Sequence, residues 1–300
     1  TCITYTPVDG DTCDFPGDKI KINLFADVVT TASNRYDIGV WLYPNNNSTT
    51  CDALKLPLSY SVDLDGDSCG DTESAGTLHN VPLGQVELTC IDTDNNGSLD
   101  VPVITTWNQN SAGLCTTGLD TFPGSPSKCK KDGKFSIPVP IPGQIIINKV
   151  TEPSNSTESF DFNVSGNTHN IDFSLTNGTS WDSGDITGGF LAGMYTVLEN
   201  NISSDWELKS AICTSSRGDS ETPQSINLQP GEIVNCTFTN QKKSANLTLI
   251  KNVVNDNGGN AGVDDFGISV NGTTVTSGTK GSYAVGEALT INETGLTGYN

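Results

Sequence analysis

Three polar side chains stand where an apolar stripe should continue. Strict alternation along Ile145-Ile-Ile-Asn-Lys149 puts Lys149 on the face of Ile145 and Ile147, while Glu199 shares a face with Tyr195 and Val197, and Asn240 with Cys236 and Phe238. If these faces form a core, the lysine requires a partner, because an unpaired buried ammonium is very costly. The alternative is three surface residues on alternating strands. A second chemistry is that of a hard cation. Asp92, Asp94, Asn96, the carbonyl of Ser98 and Asp100 alternate around Gly97 as in the ligand half of an EF-hand loop, without a Glu at the twelfth place, and Asp63, Asp65, Asp67 and Asp71 form a second oxygen-rich loop. Calcium is the expected ion at both, against the plain reading of solvated Asp/Gly turns. Gly66-Asp-Ser-Cys-Gly70 spells a nucleophile-elbow pattern, but its flanks are acidic loop rather than strand and helix, and His79 and His169 are the only histidines. Neither a serine hydrolase nor a zinc site follows, and the chain reads as no turnover enzyme.

The elements that must position these residues are strands. Twenty-nine Asn and 31 Gly in 300 residues, with aromatic and β-branched residues at even spacing, favour strands and turns over helices. Ile20, Ile22, Leu24, Ala26 and Val28 point one way along one run, and Ile38, Val40 and Leu42, then Val86, Leu88 and Cys90, repeat the pattern. The fold class expected is all-β, with tandem antiparallel β-sandwich domains stapled by disulfides. Boundaries fall at the Pro-rich Ser136–Gly143 and at the polar Gln241–Asn246, giving units 1–142, 143–242 and 243–300 with net charges of -10, -8 and -2. No apolar run is long enough to span a bilayer and no Lys/Arg cluster offers a phosphate footprint, so membrane insertion and nucleic-acid binding are excluded as readings.

Nine cysteines without any C-x-x-C spacing indicate disulfides and an extracellular location, cell-surface or secreted, with a secretion signal already removed. Cys213 and Cys236, the only two in the middle unit, are expected to pair, and Cys2 is the candidate for the odd thiol. Eleven N-x-[ST] positions, among them Asn46, Asn163, Asn177, Asn201 and Asn271, carry little weight in so Asn-rich a chain. Trp41, Trp107, Trp181 and Trp206 are read as core or interface aromatics before carbohydrate platforms.

The second and third units match each other in order. Ile145–Lys149 corresponds to Leu247–Lys251, Phe160–Val164 to Phe266–Val270, and Gly193–Glu199 followed by Trp206 to Gly286–Glu293 followed by Tyr299. A first-strand Lys, "YTVLE" in a late strand, an aromatic shortly after and "VNCTFTN" in a last strand resemble the prealbumin-like repeats of bacterial surface proteins, the collagen-adhesin B-type and SpaA-like pilin modules. The first unit, through "DLDGDSCGD" and "FPGSPSKC", resembles a Cys-rich domain that precedes such repeats in large secreted bacterial proteins. What the resemblance implies is an intramolecular isopeptide bond: Lys149 as nucleophile, Asn240 as acceptor and Glu199 as the acid that promotes it. Lys251 and Glu293 would be their equivalents, with the acceptor Asn beyond the end of the given chain or on another subunit that supplies a strand. It further implies a structural stalk or filament subunit that self-associates or binds neighbouring subunits. The competing reading is a calcium-dependent adhesin whose first domain binds a glycan or protein.

Overall fold

The computed structural model describes residues 3–42, 52–111, 115 and 128–299; Cys2, Asn46, Cys51 and Asn300 lie outside them. Strands dominate, and the helical segments described are single 3-10 turns, as the Gly- and Asn-rich connections predict.

The first unit has seven strands: β1 (Ile3–Pro7), β2 (Lys19–Thr30), β3 (Tyr36–Leu42), β4 (Asp52–Lys55), β5 (Gly76–Thr89), β6 (Ser98–Asn108) and β7 (Lys128–Pro140). They form a sandwich of two antiparallel sheets, in the orders β1-β2-β5 and β4-β3-β6-β7. The alternating face of β2, Ile20 to Ala26, is buried against Val81, Leu88, Leu99 and Ile137. Burial of each such side chain is worth roughly 1.5–3 kcal/mol relative to exposure. Strand β3 departs from the one-sided pattern, because Asp37 to Leu42 are buried on both faces. The second face is covered by the chain between β4 and β5: Ile38 donates its amide to the Gly70 carbonyl and accepts from the Leu56 amide. A Cβ at Gly70 would lie 2.5 Å from Ser61 Oγ and 2.6 Å from the Leu56 carbonyl, so only glycine allows this approach. The acidic loop is thereby pressed onto a core strand. The Pro-rich run begins in edge strand β7 and continues past its end, with Ile137 and Val139 in the core together with Ile141 just beyond.

The second unit follows with β8 (Gln144–Glu152), β9 (Ser159–Gly166), β10 (His169–Thr176), β11 (Ser180–Asp182), β12 (Gly193–Asn200), β13 (Trp206–Ser215), β14 (Ile226–Leu228) and β15 (Ile233–Lys242). The two sheets are β10-β9-β12-β14 and β11-β8-β15-β13, with a core built from Ile145, Ile147, Phe162, Val164, Val197 and Phe238 among others. One pairing breaks the antiparallel rule: β15 runs parallel to β8, with Phe238 opposite Lys149. The first and last strands of the unit are thus neighbours, a long-range pairing that local alternation does not encode.

The third unit contains β16 (Ser244–Thr248), β17 (Ile268–Val270), β18 (Thr273–Val275), β19 (Lys280–Ala284) and β20 (Ile291–Glu293), as a β16-β19 pair and a β18-β17-β20 sheet. Among the described residues, β16 has β19 on one side and no counterpart of β15 on the other.

Three disulfides are described: Cys13–Cys90, Cys69–Cys115 and Cys213–Cys236. The expected Cys213–Cys236 bond is present, its cysteines directly opposite on β13 and β15 with Cα atoms 4.0 Å apart.

Candidate functional site

The parallel pairing of β8 and β15 puts Lys149 and Asn240 on adjacent strands of one sheet, both on the core face, with Asn240 two positions past the residue opposite Lys149. Glu199 comes from the facing sheet, on β12, where it is registered with Phe162 of β9. The three stripes that the alternation pattern ends in polar residues therefore converge inside the sandwich. The side chains of Lys149 and Glu199 are 0% and 1% exposed, and Asn240 is 0% exposed.

Lys149 Nζ lies 3.2 Å from Glu199 Oε1, donates to the carbonyls of Val150 and Phe238 at 3.3 Å each, and sits 4.2 Å from the centroid of the Phe160 ring. Burial lowers the lysine pKa, opposed by the Glu199 charge. Burial likewise raises the Glu199 carboxyl, opposed by Lys149 and by the neighbouring Asn240 carboxamide. Both shifts favour the neutral forms, an amine and a carboxylic acid, because desolvating either ion costs several kcal/mol. Asn240 lies within the electrostatic reach of Glu199, yet neither carboxyl oxygen of Glu199 and neither polar atom of the Asn240 carboxamide has a well-directed hydrogen bond. Four buried polar atoms left this way are a concentrated departure from the rule that buried polar groups pair. The arrangement brings an amine, a carboxyl group and a carboxamide together between the sheets, shielded from solvent.

Around this site, Phe160 meets Trp206 edge-on at 5.5 Å and Phe162 meets Phe238 edge-on at 5.1 Å, so aromatic walls exclude water. Asn177 accepts from the Thr151 amide and donates to the Ser154 carbonyl, bracing the end of β8. The third unit repeats the constellation. Lys251 Nζ is 2.5 Å from Glu293 Oε1 and 4.1 Å from the centroid of Phe266, which meets Tyr299 edge-on at 5.2 Å as Phe160 meets Trp206. These side chains are more open, at 17% and 42% exposed, and among the described residues no strand flanks β16 on the side that β15 covers in the second unit.

The two acidic loops differ from each other. In the first, Asp92 accepts from the amides of Asn96 and Gly97, Asn96 accepts from Ser98 N and donates to Ser136, and Asp100 accepts from Thr93. Lys134, from the adjacent strand β7, reaches between Asp94 and Asp100 at 2.5 and 2.8 Å. Asp92, Asp94 and Asp100 lie close enough together to share an ion, and in this structure the Lys134 ammonium contacts two of them. Sequence spacing did not reveal it, since Lys134 lies 34 residues beyond Asp100 and arrives only through strand pairing. In the second loop, Asp63 Oδ1 accepts from the amides of Asp65, Gly66 and Asp67, and Asp67 accepts from Cys69 N and Cys115 N, so these two shape the backbone. Asp71, fully buried, accepts from the amides of Asp37 and Leu64. Ser68 of the elbow-like pattern donates to the Cys115 carbonyl, in a loop without the strand-to-helix turn. Of the tryptophans, Trp41 and Trp206 are core residues, Trp181 stacks on Phe173 at 4.6 Å, and Trp107 lines a cleft of about 780 Å³ at one end of the first sandwich.

A sandwich of two four-stranded sheets, with its first and last strands side by side and a buried Lys-Glu-Asn set between the sheets, defines the class. Residues 145–242 and 242–300 each match a family model described as a prealbumin-like fold domain, and together these matches take in the C-terminal half of the chain, which belongs to that family. Among solved structures the chain is similar to the Bacillus anthracis TIE protein (13% identity, TM-score 0.32, covering 97% of this chain and 50% of that one). It is also similar to the major pilin protein T-13 from Streptococcus pyogenes (10%, TM-score 0.28, 80% and 99%) and to BcpA, the major pilin subunit of Bacillus cereus (11%, TM-score 0.26, 81% and 70%). The chain thus spans half the length of the first of these. No curated protein matches its sequence. Among the described residues no helix is long and apolar enough to cross a membrane.

Proposed function

We propose that this chain is part of an extracellular stalk or filament, built from tandem β-sandwich modules and self-associating or joined to neighbouring subunits, whose second module is locked by an amide bond between Lys149 and Asn240. The observation that carries the reading is the buried Lys149–Glu199 contact, with the fully buried Asn240 carboxamide beside Glu199. Neutral Lys149 Nζ attacks Asn240 Cγ while the Glu199 carboxylic acid polarises the carbonyl oxygen. Glu199 then carries a proton from the attacking nitrogen to the departing one, the Cγ–Nδ2 bond breaks, and one ammonia leaves as the Nζ–Cγ amide forms. The reaction happens once per molecule and regenerates Glu199, so it is self-processing without turnover. The bond would link strands that are already hydrogen-bonded neighbours, and the Cys213–Cys236 bond ties β15 to β13 on its other side. A pull on either end of the module would then meet covalent bonds before hydrogen bonds. The disulfides support an oxidising, extracellular setting.

Intact and peptide-resolved mass spectrometry tests the bond. The expected result is a deficit of one ammonia confined to a cross-linked pair of peptides carrying Lys149 and Asn240; a full mass with Lys149 open to amine-reactive labelling after unfolding sinks the reading.

A binding role for the first unit is favoured by one observation, the cleft lined by Trp107, Phe135, Val28, Val40 and Lys134. The indole N–H of Trp107 is shielded from solvent and has no hydrogen-bond partner among the described residues. A glycan or protein ligand seated there would perturb Trp107 fluorescence, and an array screen with no such ligand returns the unit to a purely structural role.

A further inference from the structure

The loop from Asp63 to Asp71 holds a different cluster from the one its spacing suggests. Strand β3 contributes Asp37, 3% exposed, and one carboxylate oxygen from each of Asp37, Asp65 and Asp71 lies within 4.8 Å of the others. Two oxygens bound to one calcium ion at about 2.3–2.6 Å can be at most about 5 Å apart, so this separation suits a shared ion. Asp65 is half-buried as a residue, but both of its carboxylate oxygens are sealed from solvent and neither has a hydrogen-bond partner among the described residues. Asp71 is fully buried, and its two backbone donors leave lone pairs on both oxygens. Asn108 donates to Asp37, and among the described cations none is paired with the three carboxylates. In the neighbouring Asp92–Asp100 loop, Lys134 supplies such a pairing.

We propose that Asp37, Asp65 and Asp71 bind one calcium ion, which joins the acidic loop to strand β3. Asp63 and Asp67 accept from five backbone amides that hold the loop in shape; neither belongs to the Asp37–Asp65–Asp71 set, although an Asp67 oxygen also lies within 4.8 Å of an Asp37 oxygen. The Cys69–Cys115 disulfide anchors the same loop, and the pairing of Ile38 with Gly70 sets its distance from β3. A hard, oxygen-preferring ion fits an all-carboxylate set with room for carbonyl or water ligands, whereas zinc or copper would call for nitrogen or sulfur. Calcium would convert a repulsive contact between loop and strand into an attractive one.

The test uses the whole 300-residue chain, stripped with chelator and titrated with calcium chloride. One ion should bind with a rise in the melting temperature of the first unit. Asp65→Asn should weaken that binding by at least about tenfold and abolish the thermal shift. Without calcium, Asp65→Asn should melt no lower than the parent chain, because the substitution removes a buried charge, so loss of binding cannot be blamed on misfolding. Asp94→Asn, in the loop served by Lys134, should leave calcium binding unchanged. The proposal is overturned if the parent chain takes up no calcium, if Asp65→Asn binds it as the parent does, if Asp94→Asn abolishes it, or if magnesium binds and calcium does not.

Discussion

Replacing Asn240 with alanine separates the covalent bond from everything else at the site. The substitution removes the electrophile but leaves the Lys149–Glu199 pair in place, whereas truncating Lys149 or Glu199 would strand a buried ionisable group and cost about 3–5 kcal/mol by itself. Positions 149 and 240 are 91 residues apart, and a covalent link closing a loop of that size removes unfolded-chain entropy worth about 4–5 kcal/mol. The Cys213–Cys236 bond shortens the effective loop by about 20 residues, which changes this figure little because the dependence is logarithmic. Against it, neither polar atom of the Asn240 side chain has a well-directed hydrogen bond among the described residues, so deleting them costs little and the main loss is a small cavity of about 1 kcal/mol. Asn240→Ala should therefore lower the stability of the second module by about 4 kcal/mol if the bond forms and by about 1 kcal/mol or less if it does not. Urea unfolding, followed by hydrogen exchange of the β8 and β15 amides, reads the module directly. The variant should unfold at lower urea and with a steeper dependence, because its unfolded state is no longer held compact by the link. A loss of about 1 kcal/mol or less with an unchanged slope would refute the reasoning, even if the module folds well.

Other substitutions test separate links in the argument. Glu199→Gln keeps the shape of the acid but cannot carry a proton from one nitrogen to the other, so the module should retain its ammonia and leave Lys149 open to amine-reactive labels after unfolding; a normal cross-link in this variant removes Glu199 from the chemistry. Lys134→Met withdraws the ammonium between Asp94 and Asp100. Burial raises the Asp100 carboxyl, but hydrogen bonds from Lys134 and Thr93 prevail and hold it below its ordinary 3.8. A folded pKa below the unfolded one gives stability that is present above pH 3.8 and lost as the pH falls through the folded value. The melting temperatures of the parent chain and Lys134→Met should therefore differ most near neutrality and converge in acid; a gap that is constant with pH would show that Lys134 acts by packing alone.

Much of the site was legible because strands impose a period of two. Lys149, Glu199 and Asn240 each interrupt an apolar stripe, and that alone marks them as buried polar residues. The repeat between the second and third units also survives in three dimensions, down to a lysine over a phenylalanine ring and an aromatic meeting that ring edge-on. The acidic loops were legible as oxygen-rich turns, but the groups that face them were not. Alternate oxygens can be counted along a chain, but the groups that answer them, Lys134 in one loop and Asp37 in the other, come from strands more than 25 residues away.

By itself the sequence determined the periodicity, the strand-rich class, the order of the modules and the pairing of Cys213 with Cys236, all of which depend on local patterning or on simple counting. Only the tertiary structure decided which stripes face one another. The parallel pairing of β8 with β15 brings Lys149 beside Asn240, and the opposing sheet brings Glu199 to both. The physical reason is that strand pairing and sheet stacking are set by the global economy of burial and backbone hydrogen bonding, which no window of a single strand contains. The same holds for the loop at Asp63–Asp71, which becomes a carboxylate cluster with Asp37 because Gly70 lets it lie directly against β3.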